Sequence, residues 1–484
     1  MNTIRILGAA LALVVGLAGC GGSPDRETGH ADRETDQAAG QTTGEADRET
    51  AKTDALQKEK ARYAGLVREE YLYAWNGYKT YAWGHDDLKP LSRTFHDWYG
   101  EPLLMSAVDA LDGLIMLGLE DEAGMVREYL AENLSFDKDM SVKNFEIVIR
   151  LLGGLLSSYQ LTGDYRLLEL AKDLGSRLLR AFNSPTGMPY TYVNLRTGEP
   201  RGPVTNPAEI GTLTLEFGVL AMLTGRPEFY EKPKQAVLEL YERRSPLGLV
   251  GAAIDVETGV WQETTSHLGG RIDSYYEYLL KAALLFDDPD YEKMFRSHLA
   301  SIHNHLAVEA ESGLWYGWVD MNTGEPAASY YGALDAFFPA VLALSGDLER
   351  AARLQASSYA MWNLYGVEPE LIDFKAMKVV EGAEAYHLRP EIIESAYYLY
   401  HFTGDSKYVD MGMRIFDALR EHCRAGAGYA ALGNVVTKEK IDSMESFLFG
   451  ETLKYLYLLF AKDGTRYLDE VVFTTEAHPL RRTW

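Results

Sequence analysis

Carboxylates recur on apolar stretches of this 484-residue chain, each set roughly 6 to 16 residues ahead of a turn. They are Asp109 and Asp112, Glu146, Glu209 and Glu216, Asp273 and Glu277, Asp335, Glu391 and Glu394, and Glu445 and Glu451. The run Phe145-Glu146-Ile147-Val148-Ile149 is typical. A carboxylate on such a stretch is not buried without partners. Taken singly, each reads as a helix cap or half of an ion pair. Repeated in every segment, they read as a convergent cluster. Such a cluster suits three kinds of chemistry: oxygen ligation of a hard cation, general acid–base catalysis at a glycosidic bond, and hydrogen bonding to sugar hydroxyls. Crowding raises the pKa of one member and keeps a proton available near neutrality. Arg150, Arg271 and Arg389 lie within a few positions of these acids and are candidates to orient them or to contact a sugar.

The elements that must position the acids are helical. Residues 165–182 carry apolar side chains at three- and four-residue spacing, the mark of an amphipathic helix. Similar turns follow one another at Leu161-Thr162-Gly163-Asp164, Leu223-Thr224-Gly225-Arg226, Asp287-Asp288-Pro289-Asp290, Leu344-Ser345-Gly346-Asp347 and Phe402-Thr403-Gly404-Asp405. Gly ends one helix and Asp or Ser caps the next. Weaker breaks near Gly118 and at residues 461–464 complete about seven helical hairpins between residues 56 and 463. Seven hairpins form either an open solenoid or a closed (α/α) barrel; closure leaves no ends to cap and is the expectation here. If the helix before each turn faces inward, the acids meet at one end of the barrel axis.

Other chemistries find little support. A net charge of −24 without a basic stripe excludes a nucleic-acid partner. No HExxH is present, and His303 and His305 would point to different faces of a helix. Residues 425–428 (AGAG) lack the Lys-Ser or Lys-Thr of a phosphate loop. After Cys20 the sole cysteine is Cys423, so no intramolecular disulfide is expected in the folded domain.

The first fifty residues differ in kind. Arg5, the apolar stretch 6–17 and the string Leu17-Ala18-Gly19-Cys20 predict a lipoprotein signal peptide over 1–20, cleaved before Cys20 and acylated there. Residues 21–55, in which Asp-Arg-Glu-Thr recurs at Asp25, Asp32 and Asp47, are expected to be a disordered acidic linker. The catalytic domain then spans 56–484.

At its acids the chain resembles glycoside hydrolase family 47, the class I α1,2-mannosidases. Eight strings carry the resemblance in order: residues 78–92 (YKTYAWGHDDLKPLS), 108–119 (VDALDGLIMLGL), 144–154 (NFEIVIRLLGG), 182–195 (FNSPTGMPYTYVNL), 268–281 (LGGRIDSYYEYLLK), 388–400 (LRPEIIESAYYLY), 444–460 (MESFLFGETLKYLYLLF) and 472–480 (VFTTEAHPL). It implies an all-α (α/α)7 barrel with a short C-terminal β segment plugging one end. It also implies inverting hydrolysis of terminal α1,2-linked mannose and a calcium ion deep in the pocket. Glu146 matches the general acid, Glu391 the general base, and Asp273 a third essential carboxylate with a base or positioning role. Thr475 matches the calcium ligand. Arg150, Arg271, Arg389, Glu394, Phe447, Glu451 and Glu476 match substrate or surrounding contacts. On the residues alone, Phe447 reads equally as core, and Arg150 as a partner of Glu146.

The chain departs from the eukaryotic members in lacking their disulfide, and Ala333 stands where the glycan-processing branch often has histidine. Residues 327–346 look closer to the branch that serves degradation of misfolded glycoproteins, whereas residues 78–92 and 472–480 look like the processing branch, so which mannose of a glycan it prefers stays open. A mannose-containing glycan is the expected partner, met by a monomer held to a bacterial outer membrane or cell surface through Cys20. The rival readings are a non-catalytic mannose-binding lectin on the same barrel and an α-mannosidase of another linkage.

Overall fold

The computed structural model describes residues 35–484, with side chains from residue 52 onward. The expected signal peptide, Cys20 and the first part of the expected linker lie outside the described residues. Sixteen α-helices are described: α1 (Thr35–Tyr81), α2 (Met105–Met116), α3 (Glu120–Asn133), α4 (Asn144–Ile147), α5 (Gly153–Thr162), α6 (Tyr165–Leu178), α7 (Pro207–Gly211), α8 (Thr214–Thr224), α9 (Glu228–Glu242), α10 (Asp273–Phe286), α11 (Pro289–His305), α12 (Phe338–Ser345), α13 (Leu348–Tyr365), α14 (Glu391–Thr403), α15 (Lys407–Ala418) and α16 (Leu453–Phe460). Residues 35–55, expected to belong to the linker, are helical and lead into the packed part of α1. Their Ala, Gln, Glu, Arg and Lys content is compatible with helix.

Two concentric rings result. The inner ring runs α2, α4–α5, α7–α8, α10, α12, α14 and α16, each packed on the next, and α2 closes it against the π-helical turn Leu448–Thr452 that precedes α16. Inner helices are buried almost all round: every residue of α8 from Thr214 to Ala221 is buried. Outer helices bury one stripe; in α6 that stripe is Leu167, Leu168, Ala171, Leu174, Gly175 and Leu178. Six inner helices are followed at once by an outer partner, α3, α6, α9, α11, α13 and α15. The seventh hairpin departs from the sequence expectation: after α16 the turn at 461–464 leads to a 3-10 helix, and the outer partner of α16 is α1 from the other end of the chain.

The turns behave as their residues dictate. Gly163, Gly225, Gly346 and Gly404 end inner helices in the left-handed conformation, and Asp287 does so at φ 57°. Asp164, Asp288 and Asp347 then cap the outer helices by accepting hydrogen bonds from backbone N–H groups of Arg166, Asp290 and Arg350. At the opposite end, the long links from outer to inner helices fold as small antiparallel ladders that neighbouring links share, as where Ser141–Lys143 pairs with Tyr192–Asn194. That end is the mouth.

The far end is filled by the C-terminus. Val472–Phe473 pairs with Pro479–Leu480, and the turn between them pushes up the axis. His478 at this turn is fully buried, its Nδ1 2.7 Å from Asp112 Oδ2 and its Nε2 3.3 Å from Asp109 Oδ1. Burial alone would lower its pKa, but the two aspartates outweigh burial and raise it to about 9. The Lys454 ammonium pairs with Asp112 at 2.7 Å and donates to the Ala477 carbonyl at 2.8 Å. A Cβ on Gly153 would lie 2.8 Å from the His478 ring, so only glycine leaves room for the plug.

Candidate active site

The cavity of about 240 Å³ at the mouth end is lined from every quarter of the inner ring. Glu146 stands in the first turn of α4; Asp273 and Glu391 are the first residues of α10 and α14. Helix starts present unpaired N–H groups and the positive end of the dipole, which favours carboxylates there. π-helical turns follow at Val148–Leu152, holding Arg150, and at Leu448–Thr452, holding Glu451. Such turns are frequent at functional sites; a third, Leu419–Cys423, does not line the cavity.

Of the acids singled out by sequence, Glu146, Glu209, Asp273, Glu277, Glu391, Glu394 and Glu451 line this cavity, with Glu476 from the plug. The others do not line it. Asp109 and Asp112 anchor the plug below it, Glu216 accepts from the Tyr278 hydroxyl at 2.6 Å, and Asp335 accepts from the Gly332 N–H at 2.9 Å. Glu445 accepts from the Ser443 hydroxyl and lines a different cavity.

Arg150 is the hub of the acidic side. Its Nε donates to Glu146 Oε2 at 3.1 Å, and one terminal nitrogen reaches Ser446 at 3.1 Å, Asp109 at 3.5 Å and Glu476. Arg389 forms a two-pronged pair with Glu370 at 3.2 and 2.9 Å. Phe447 lies between these two arginines, its ring centre 5.6 Å from one guanidinium and 5.8 Å from the other. Arg271 sits at the rim, half-exposed and paired with Glu263 at 2.6 Å. Lys143 reaches Glu209 at 3.0 Å and Glu146 at 3.8 Å.

Burial dominates the proton affinities. It raises Asp273 to about 7, against hydrogen bonds from the Ser274 N–H and hydroxyl. It raises Glu391 to about 7 despite Arg389, Glu394 to about 8 despite Lys281, and Glu476 to about 8 despite Arg150. Glu451 is pushed well above the usual carboxylate range by burial and by Glu476. Acids poised near neutrality can take up or release a proton during a reaction.

Eight carboxyl groups face four cationic side chains around the cavity, so its donor set is oxygen-rich and negative. Thr475 stands among them on the plug, its N–H donating to the Tyr278 hydroxyl at 3.2 Å. Glu391 Oε2 is buried without a protein partner. These features fit a hard cation. Among the described residues no three His, Cys, Asp or Glu side chains are close enough together to hold a metal directly. An ion here would therefore depend on Thr475 oxygens and on waters held by the acids.

Sequence reading missed Lys143, Asn206 and Ser274 as lining residues, although each borders the start of an inner helix where the acids already pointed. It also missed Glu368 and Glu370, on the link after α13. Glu368 is fully buried with neither oxygen partnered, and burial together with Glu391 raises its pKa well above the usual range. No periodic signal marks that link.

Comparison with known proteins agrees with this geometry. The model of glycosyl hydrolase family 47 matches residues 70–482. The chain is 36% identical over 462 residues to the human ER degradation-enhancing α-mannosidase-like protein 2, covering 88% of this chain and 79% of that protein. It is 37% identical over 454 residues to the human endoplasmic reticulum mannosyl-oligosaccharide 1,2-α-mannosidase, covering 87% and 64% respectively. The α-1,2-mannosidase from Trichoderma reesei superposes with a TM-score of 0.80 at 29% identity, covering 87% of this chain and 99% of that one.

Proposed function

The chain belongs to glycosyl hydrolase family 47, and on that premise we propose that it is an inverting exo-α1,2-mannosidase acting on high-mannose glycans or smaller mannosides. The observation that carries the reading is the meeting of Glu146, Asp273 and Glu391 in one cavity that is open at the mouth and backed by the plug. A pocket open at one end admits a chain terminus and stops there, which supports exo action.

In this mechanism Glu146, held by Arg150 and Lys143, delivers a proton to the leaving oxygen, directly or through a water. Glu391 takes a proton from the attacking water on the opposite face of the sugar, and its unpartnered Oε2 is free to do so. Inversion requires room for that water between acid and base. Asp273 positions the water or shares the base role. Phe447, fixed between two guanidinium groups, offers an apolar face to the sugar ring. Arg150, Arg389, Glu394, Glu451 and Glu476 hold the polar walls. Thr475 and waters held by the acids would hold a calcium ion, which would supply fixed positive charge beside the sugar. The string ending at Cys20 supports lipid attachment, which would place the monomeric enzyme at an outer membrane or cell surface, where external glycans are met.

Hydrolysis of linkage-defined mannobioses, followed by NMR with and without chelator, tests the reading. Release of β-mannose from the α1,2 isomer, lost on chelation and restored by calcium better than by zinc, is the expected result. No release from any isomer would leave a binding protein instead of an enzyme.

A further inference from the structure

A second cavity of about 270 Å³ opens beside the first. Its walls include Asp87, His96, Trp98, Asp442, Ser443 and Glu445. Trp98 connects the two, because the guanidinium of Arg150, a wall of the first cavity, stands 5.3 Å over its ring. Asp87 is 7% exposed; one carboxylate oxygen accepts from the Trp98 indole N–H, and Oδ1 has no partner at all. Leaving a buried acceptor unpaired is costly, so such an atom points to a donor that arrives from outside.

We propose that this second cavity is a subsite for another hexose unit of the branched glycan whose terminal mannose enters the first. The inference rests on the activity proposed above. Three carboxylates and a serine present acceptors suited to hydroxyl donors, and O–H···O⁻ bonds are among the stronger hydrogen bonds. Trp98 supplies apolar surface for the C–H face of a sugar. The volume is close to that of the first cavity, which takes one sugar ring in the same reading. A directly bound metal does not suit the lining, since among the described residues no cluster of three ligating side chains is close enough. Burial raises Asp87 to about 6, opposed by His96, which leaves it mostly ionised at neutral pH and able to accept. His96 is exposed at the rim, 3.8 Å from Asp87 Oδ2.

The test uses the double variant H96A/E445Q, with Asp87→Asn beside it, since an amide oxygen still accepts from Trp98 while the charge is gone. KM and kcat are measured on α1,2-mannobiose, whose two rings take up the first cavity and the leaving-sugar position at its mouth, and on a nine-mannose branched oligosaccharide, whose further rings extend to the second cavity. Calorimetric binding of the oligosaccharide is measured alongside. Variants that melt like the parent are expected to keep mannobiose kinetics and to show about tenfold weaker KM and binding for the oligosaccharide. Equal values for parent and variants on the oligosaccharide overturn the subsite, as does failure of the parent to bind it. Absence of mannobiose turnover in the parent would sink the activity reading alone, because calorimetry still decides the subsite.

Discussion

His478 and Asp112 form a fully buried pair, 2.7 Å between Nδ1 and Oδ2, that ties the C-terminal turn to the floor of the inner ring. Replacing His478 with Ala leaves the fully buried Asp112 with Lys454 and the Ser157 hydroxyl as its remaining partners. Removing one partner of a buried pair destabilises by about 3–5 kcal/mol. His478→Ala is expected to lower the melting temperature by many degrees and to weaken activity, because Thr475 stands three residues earlier on the same turn. An unchanged melt would show that the plug is held by its apolar contacts instead.

Glu146→Gln and Glu391→Gln remove one proton-transfer group each while keeping shape. General acid–base groups typically contribute 10²–10⁴-fold, so kcat on an α1,2-mannoside is expected to fall by that order in each. Near-parental kcat in both would overturn the assignment of roles. Thermal melts serve as the control for folding.

The pile of buried acids predicts how stability depends on pH in calcium-free protein. Asp273 and Glu391 lie near 7, and Glu394 and Glu476 near 8, in the folded state, against about 4 in an unfolded chain. The folded state therefore holds more protons between those values. Its contribution is fully present below about pH 4 and is lost as pH rises through 7 to 8. The chelated protein is expected to melt lower at pH 8.5 than at pH 5.5. Added calcium should raise the melting temperature more at pH 8.5, because the ion replaces protons that the acids have lost. A flat or rising melt with pH in chelator would contradict this.

Phe447 between Arg150 and Arg389 makes a further point of attack. Phe447→Leu keeps bulk but loses the ring face to sugar and guanidinium, where cation–π contacts are worth about 0.5–2 kcal/mol. KM for mannobiose is expected to rise several-fold or more with a modest loss of stability. If KM is unaffected, Phe447 is packing rather than platform.

Much of this architecture is legible in the sequence because inner helices are apolar and their acids stand out against that background. Glu146 and Glu391 are conspicuous for that reason, and the Gly-Asp turns mark the helix ends through their capping chemistry. Reading failed where position depends on distant chain. Asp335 and Glu216 have the same local signature as Asp273, yet their partners Gly332 and Tyr278 keep them out of the cavity. The turn at 461–464 looks like the others, but nothing local says that α1 supplies the missing outer helix. Glu368 lies on an irregular link, where burial is set by the surrounding rings and not by periodicity.

The packing of α1 on α15 and α16 has a consequence for how the chain is made. The Tyr63 hydroxyl donates to Asp417 across 354 positions, and Glu70 meets Arg424 at 2.8 Å across the same gap. Contacts this remote in sequence are slow to form, and the first of the described helices must wait, with its apolar face uncovered, for nearly the last of them. The cavity likewise lacks Thr475 and Glu476 until the final residues arrive. Without residues 472–480 the inner ring would carry its acids and no floor beneath them, so the cavity is completed from a segment remote in sequence from most of its walls.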